Sequence, residues 1–292
     1  MQSKFRGVGV ALITPFNEDL SVDYAALEKI LDNIFNSNVN YLVVNGTTSE
    51  ASTIELEDKK KILSFVKEYN NNRLPIMYGI GANNTQHVLN LIDDTDLNGV
   101  DAILTVSPYY NKPSQRGISL HYKMIADKSP VPVLLYNVPG RTGTNVNADT
   151  TLELAKHPNI FGIKEASGDL NQCLDIINGK PDDFMLISGD DILTVPMISI
   201  GAEGVISVLA NAFPDSFSDT INLALEGDFN KATNKLTTFL GINDLLYKES
   251  NPVGIKEVMN LQGTCNTAVR PPLFTASEGL KNDIKAQFEQ LK

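Results

Sequence analysis

The sequence predicts an α/β fold, a (β/α)8 TIM barrel with a C-terminal helical domain. Three observations carry that prediction. Over the first two thirds of the chain, short β-rich runs alternate with amphipathic helical stretches, each pair taking roughly 25 residues. The runs are almost wholly apolar rather than alternating, as parallel strands covered on both faces require. After about Gly227 the β pattern stops and only helical periodicity follows. A doubly wound open sheet gives the same alternation and is the rival. The count of eight strands with eight helical connections favours the barrel.

In chain order the strand-like runs are Val8–Thr14, Tyr41–Asn45, Ile76–Ile80, Ala102–Ser107, Val133–Asn137, Phe161–Glu165, Met185–Ser188 and Gly204–Val208. Helical stretches between them include Tyr24–Phe35, Leu56–Tyr69, Gln86–Leu97, Gly117–Ala126 and Thr150–Ala155. Pro132, the segment from Asn137 to Gly140, and Gly189 punctuate strand ends, where turns need such residues. Beyond the β pattern, Phe229–Leu246, Pro252–Leu261 and Ala276–Leu291 read as helices, with Pro271-Pro272 interrupting the last connection. The expected division is a catalytic barrel over 1–227 and a helical domain over 228–292. No Pro- or Ser-rich linker and no short-period repeat interrupts this plan.

Composition narrows the function classes. No stretch approaches the ~20 apolar residues of a membrane-spanning helix. The opening MQSKFRGVGVALITPF lacks the small-residue cleavage site of a signal peptide and runs into a strand, so the cytoplasm is expected. Cys173 and Cys265 show neither disulfide nor metal-site spacing. A net charge of -11 argues against a nucleic-acid partner, whose phosphates would be repelled. His87, His121 and His157 lie in or beside helical stretches without ligand spacing, and no P-loop, GxGxxG or nucleophile elbow is present. Neither a metal nor a cofactor is expected.

Barrel chemistry happens at the C-terminal ends of the strands. Of the polar residues placed there, Lys164 stands out, because it follows Ile160-Phe161-Gly162-Ile163 and its stem leaves an apolar strand toward the barrel mouth. Burying an ammonium is costly, so such a site favours the neutral amine, the form that attacks a ketone. The alternative is a lysine paired with a neighbouring carboxylate such as Glu165. A Schiff-base enzyme must also move protons, and Tyr136, ending the adjacent strand, can supply a phenol; otherwise it is a packing aromatic. Thr47 and Thr48 follow a glycine at a strand end and either hold a carboxylate or cap the next helix. Arg141, in a Pro-Gly-Arg-Thr-Gly turn, suits a bidentate grip on a carboxylate, or is simply solvated. Asp190-Asp191 reads as a helix cap or as an acid–base or metal pair.

Six motifs taken together carry a resemblance over essentially the whole chain: VALITPF (10–16), NGTTSE (45–50), SPYYNKP (107–113), YNVPGRTG (136–143), GIKEASGD (162–169) and GVISV (204–208). The sequence resembles the pyruvate-dependent class I aldolase superfamily typified by N-acetylneuraminate lyase and, within it, the dihydrodipicolinate synthase family. That resemblance implies a lyase in which Lys164 forms an imine with pyruvate. It implies a proton relay of Tyr136 and Thr47 completed by Tyr110 from a neighbouring subunit, hence a homodimer or homotetramer. Thr48 would hold the pyruvate carboxylate, the Ile206 carbonyl would face the same pocket, and Arg141 would bind the carboxylate of L-aspartate 4-semialdehyde. The implied product is 4-hydroxy-tetrahydrodipicolinate, committed to diaminopimelate and lysine. Sialic-acid lyases and 2-keto-3-deoxy sugar acid aldolases share the Lys and Tyr but differ at the VPGRTG turn, which favours the synthase reading over those aldolases.

Two departures from the family pattern matter. Ser49 stands where the pattern has a second glycine, so a left-handed backbone there would be mildly strained. Many relatives bind lysine at a subunit interface through acidic and histidine side chains; the matching positions here read Leu56, Lys59, Asn83 and His87, with Tyr109 retained. A lysine at 59 would repel a cationic effector, so weak or absent feedback inhibition by lysine is expected.

Overall fold

The structure is a computed structural model that describes residues 2–291. Eight parallel strands, β1 (Gly7–Ala11), β2 (Tyr41–Val44), β3 (Ile76–Gly79), β4 (Ala102–Val106), β5 (Val133–Asn137), β6 (Ile160–Glu165), β7 (Met185–Ser188) and β8 (Gly204–Ser207), pair in sequence order. β8 returns to β1 through Gly7↔Gly204 to Val10↔Ser207, which closes the barrel and rules out the open sheet. The expected runs match the strands in number and order, each within a few residues at its ends.

Side-chain period two divides the barrel into two apolar compartments. Val43, Met77, Leu104, Leu134, Met185 and Ile187 belong to a small inner core, whereas Val8, Leu42, Ile103, Leu135 and Leu186 join the larger layer under the helices. Phe5, from the short helix Gln2–Phe5, joins the inner core at the N-terminal end, with ring centroids 5.2 Å from Tyr41 and 5.3 Å from Phe161. Gly9 makes this possible: a Cβ there would stand 2.1 Å from the Tyr41 ring. The helices start where side chains satisfy their first free amides; Asp23, Asn84, Ser114, Asn147 and Asp169 each accept from a backbone N–H in the first turn.

The C-terminal segment corrects one expectation. The stretch 229–246 is two helices, Phe229–Thr238 and Leu240–Tyr247, meeting at Phe239, which is 4% exposed and packs its ring against Phe213 and Phe217. Val253–Leu261 is buried along nearly its whole length, and Gly254 lets it press on the preceding helix, since a Cβ there would lie 2.5 Å from Leu246 Cα. Glu278–Gln290 packs on it and on Leu240–Tyr247, and buries Leu280, Ile284 and Phe288. Among the described residues no helix is long and apolar enough to cross a membrane.

Candidate active site

β5 and β6 meet in register at Tyr136↔Lys164 and Asn137↔Glu165. Alternation sends Lys164 and Tyr136 to the inner face and Asn137 and Glu165 to the outer one. This disposes of the ion-pair alternative for Lys164. The Glu165 carboxyl accepts from Asn137 Nδ2 at 3.0 Å and 3.1 Å, Gln172 Nε2 at 2.9 Å and the Ser167 amide at 2.7 Å, on the far side of the strand. Asn137 Oδ1 in turn accepts from the Val146 amide, so this amide cluster ties the ends of both strands to the turn that carries Arg141.

Lys164 is 7% exposed, and its Nζ lies 4.3 Å from the centroid of the equally buried Tyr136 ring. Its stem fits because residue 189 is glycine; a Cβ there would stand 3.0 Å from Lys164 Cε and 2.7 Å from Ala166 Cβ. Both residues line a cavity of about 660 Å³ at the C-terminal end of the barrel, together with Thr47, Thr48, Arg141 and Ile206. Thus six of the seven residues singled out in the sequence converge on one cavity. Tyr110 does not: it stands 87% exposed on the loop after β4, at φ +76°, outside this chain's own cavity. Its neighbour Tyr109 lines the cavity instead.

The loop after β2 is held by its own polar groups. The helix that follows, Leu56–Asn70, begins at Glu55, so Thr47 and Thr48 do not cap it and their side chains remain for the cavity. Ser49 is not left-handed; Asn45 at φ +61° and Glu50 at φ +60° are. Instead the Ser49 hydroxyl donates to the Leu12 carbonyl at 2.6 Å and accepts from the Gly46 amide at 3.2 Å, which joins the ends of β1 and β2. The strain expected at Ser49 is absent because the turn places its left-handed residues on either side of it.

Asp190 and Asp191 divide their work. Asp190 Oδ1 accepts from the Ile192 and Leu193 amides, as a cap does, while Asp191 Oδ2 accepts from the Val208 and Leu209 amides and holds the end of β8 that presents Ile206. Burial pushes the Asp191 carboxyl up to about 6, against the Ser207 hydroxyl and those amides, which pull it down. At the outer end the cavity reaches Leu56, Lys59, Asn83 and His87. Burial lowers the Lys59 ammonium from its usual range, and the Glu55 carboxylate opposes that shift.

Two polar side chains at this end of the barrel, Asn251 and Lys256, escaped sequence reasoning. Asn251 Nδ2 donates to Thr48 Oγ1 at 3.0 Å, and Lys256 Nζ lies 2.6 Å from Glu50 Oε1, with Lys256 0% and Glu50 1% exposed along their side chains. Glu50 sits in a quoted motif, but Lys256 falls inside the helical stretch Pro252–Leu261 with no local pattern to mark it. Among the described residues no group of three or more His, Cys, Asp or Glu could hold a metal ion.

A model of the dihydrodipicolinate synthetase family matches residues 4–291. The 4-hydroxy-tetrahydrodipicolinate synthase of Cytophaga hutchinsonii is 53% identical over 281 residues, covering 96% of this chain and 95% of the relative. That of Parabacteroides distasonis is 48% identical over 287 residues, covering 98% and 97%. Among solved structures, the chloride-inhibited dihydrodipicolinate synthase of Acinetobacter baumannii, complexed with pyruvate, has a TM-score of 0.94 at 36% identity, covering 97% of this chain and 98% of that one.

Proposed function

Because the chain belongs to the dihydrodipicolinate synthetase family, we propose that it condenses pyruvate with L-aspartate 4-semialdehyde to give 4-hydroxy-tetrahydrodipicolinate, the first committed step toward diaminopimelate and lysine. The observation that carries the reading is the in-register Lys164–Tyr136 pair, amine against phenol ring, buried in a cavity whose rim carries Arg141.

Lys164 Nζ attacks the ketone carbon of pyruvate, and the carbinolamine loses water to an imine. Removal of a methyl proton gives the enamine, whose carbon attacks the aldehyde of the second substrate. The semialdehyde's amine then displaces Lys164 from the imine carbon, closing the ring and restoring the free lysine. Each stage needs a proton donor or acceptor beside the nitrogen, and the Tyr136 phenol fills that role. Thr47 continues the relay, and Tyr110 completes it from a second copy of the chain; its exposed position on the rim loop suits a residue that works in a partner's cavity. The chain therefore acts as a homodimer or as a homotetramer of paired dimers. Thr48 and Arg141 take the two substrate carboxylates, and the Ile206 carbonyl faces the imine. No cofactor enters these steps. The barrel, 1–227, holds the nucleophile, the helical segment 228–292 supports it, and the cytoplasm is the compartment that suits such a biosynthetic enzyme.

Coupled assays test the acceptor. Condensation with pyruvate is expected with L-aspartate 4-semialdehyde as acceptor and not with N-acetylmannosamine, and no cleavage of a 2-keto-3-deoxy sugar acid is expected; the reverse preference would overturn the synthase reading. Regulation follows from the outer lobe, where Lys59 stands in the cavity wall. An effector ammonium would meet the like charge of the Lys59 ammonium there, so lysine is expected to inhibit weakly or not at all. Half-inhibition at sub-millimolar lysine in the same assay would contradict this.

A further inference from the structure

The C-terminal helical segment grips the loop after β2 at two points. Asn251, just ahead of the helix Val253–Leu261, is 6% exposed and donates its amide N–H to Thr48 Oγ1. One turn further on, Lys256 Nζ meets Glu50 Oε1 at 2.6 Å and the Ala268 carbonyl at 2.7 Å, above the Phe16 ring at 4.3 Å. Glu50 Oε2 accepts from the Arg270 amide at 2.8 Å, and the Arg270 guanidinium donates to the Leu20 and Thr53 carbonyls. The five-residue loop from Gly46 to Glu50 is thus gripped at its far end by a buried ion pair and at its middle by an amide.

A threonine hydroxyl carries one proton and two lone pairs. With the Asn251 N–H occupying one lone pair of the oxygen, the hydroxyl proton can be directed to the cavity, which Thr48 lines. A carboxylate needs a donor there and would be repelled by a lone pair. We propose that Asn251 is a positioning residue for pyruvate: it orients the Thr48 hydroxyl as a donor to the substrate carboxylate, while the Lys256–Glu50 pair fixes the loop that holds it. The helical segment is then part of the substrate-binding apparatus and more than a cover for the barrel. This rests on the assignment of Thr48 to the pyruvate carboxylate.

The test reads the pyruvate concentration that gives half-maximal borohydride trapping at Lys164. Asn251→Ala is expected to raise it about tenfold, the worth of one hydrogen bond to a charged group. Asn251→Asp, nearly isosteric and able only to accept, turns the Thr48 proton away from the cavity and is expected to raise it further. In a Thr48→Val background, Asn251→Ala is expected to change the value by less than about twofold, because the group it acts through is gone. Equal losses in both backgrounds, or values within about twofold of wild type for both Asn251 variants, would overturn the proposal while leaving the enzyme reading intact. Asn251→Asp decides the matter should the alanine variant fold poorly. If wild-type protein gives no adduct at Lys164, the enzyme reading falls and takes this proposal with it.

Discussion

Replacing Lys164 by alanine is expected to lower turnover at least about a thousandfold, since covalent catalysis has no path without its nucleophile. The more telling substitution is Lys164→Arg. If the residue served only as a buried cation to hold an anionic substrate, arginine would keep the charge and add donors, and most activity would survive. Guanidinium does not condense with a ketone under these conditions, so the covalent reading expects Lys164→Arg to be as inactive as Lys164→Ala. Reduction with borohydride in the presence of pyruvate, followed by peptide mapping, gives the independent measurement. Wild-type protein should gain the reduced adduct on the peptide containing Lys164 and on no other, although Lys59 shares the same cavity. The discrimination follows from place: Lys59 stands at the outer end beside Glu55, whereas Lys164 lies against a phenol ring that can serve each proton transfer. Turnover of Lys164→Arg within about tenfold of wild type would end the Schiff-base account.

What the sequence disclosed, and what it hid, follows from the range of each physical signal. Strands buried on both faces leave apolar runs that are readable without neighbours, so all eight strands were legible. The choice between a free Lys164 and a Lys164–Glu165 pair stayed open in the sequence and was settled by the register of β5 and β6, which puts the two side chains on opposite faces. The fate of Glu165 needed the fold, since its partners Asn137 and Gln172 come from a different strand and from the helix Leu170–Gly179. Ser49 shows the reverse case. A glycine-to-serine change suggested backbone strain, yet the hydroxyl found the Leu12 carbonyl, and the left-handed residues proved to be Asn45 and Glu50. The break at Phe239 was invisible because helical periodicity continues across it; only the rings of Phe213 and Phe217 mark the corner. Asn251 and Lys256 were hardest of all. Their partners lie 203 and 206 residues away, and no local pattern distinguishes a lysine aimed into the core from one aimed at water.

That last residue gives the largest expected change in stability. Lys256→Met keeps the length and much of the volume of the side chain but removes the cation, leaving the Glu50 carboxyl buried against it. Breaking a buried pair by deleting one partner costs about 3–5 kcal/mol, because the remaining group keeps its desolvation penalty and loses its compensation. The Arg270 amide remains, on the other Glu50 oxygen, and it is neutral. Burial already presses the Lys256 ammonium toward its neutral form, with the Glu50 carboxylate resisting, so the pair stands on mutual support rather than on solvent. The double variant Glu50→Gln/Lys256→Met is then expected to recover most of the lost stability in denaturant unfolding, since two neutral side chains of similar size no longer carry an unpaired charge. Recovery of stability without recovery of tight pyruvate trapping would separate the two duties of the contact: the charge pair would be dispensable for folding but needed to hold the loop beneath Thr48 in place. A single variant within about 1 kcal/mol of wild type would instead mean that Glu50 finds another partner on losing Lys256, and the ion pair would lose its claim to fix the loop.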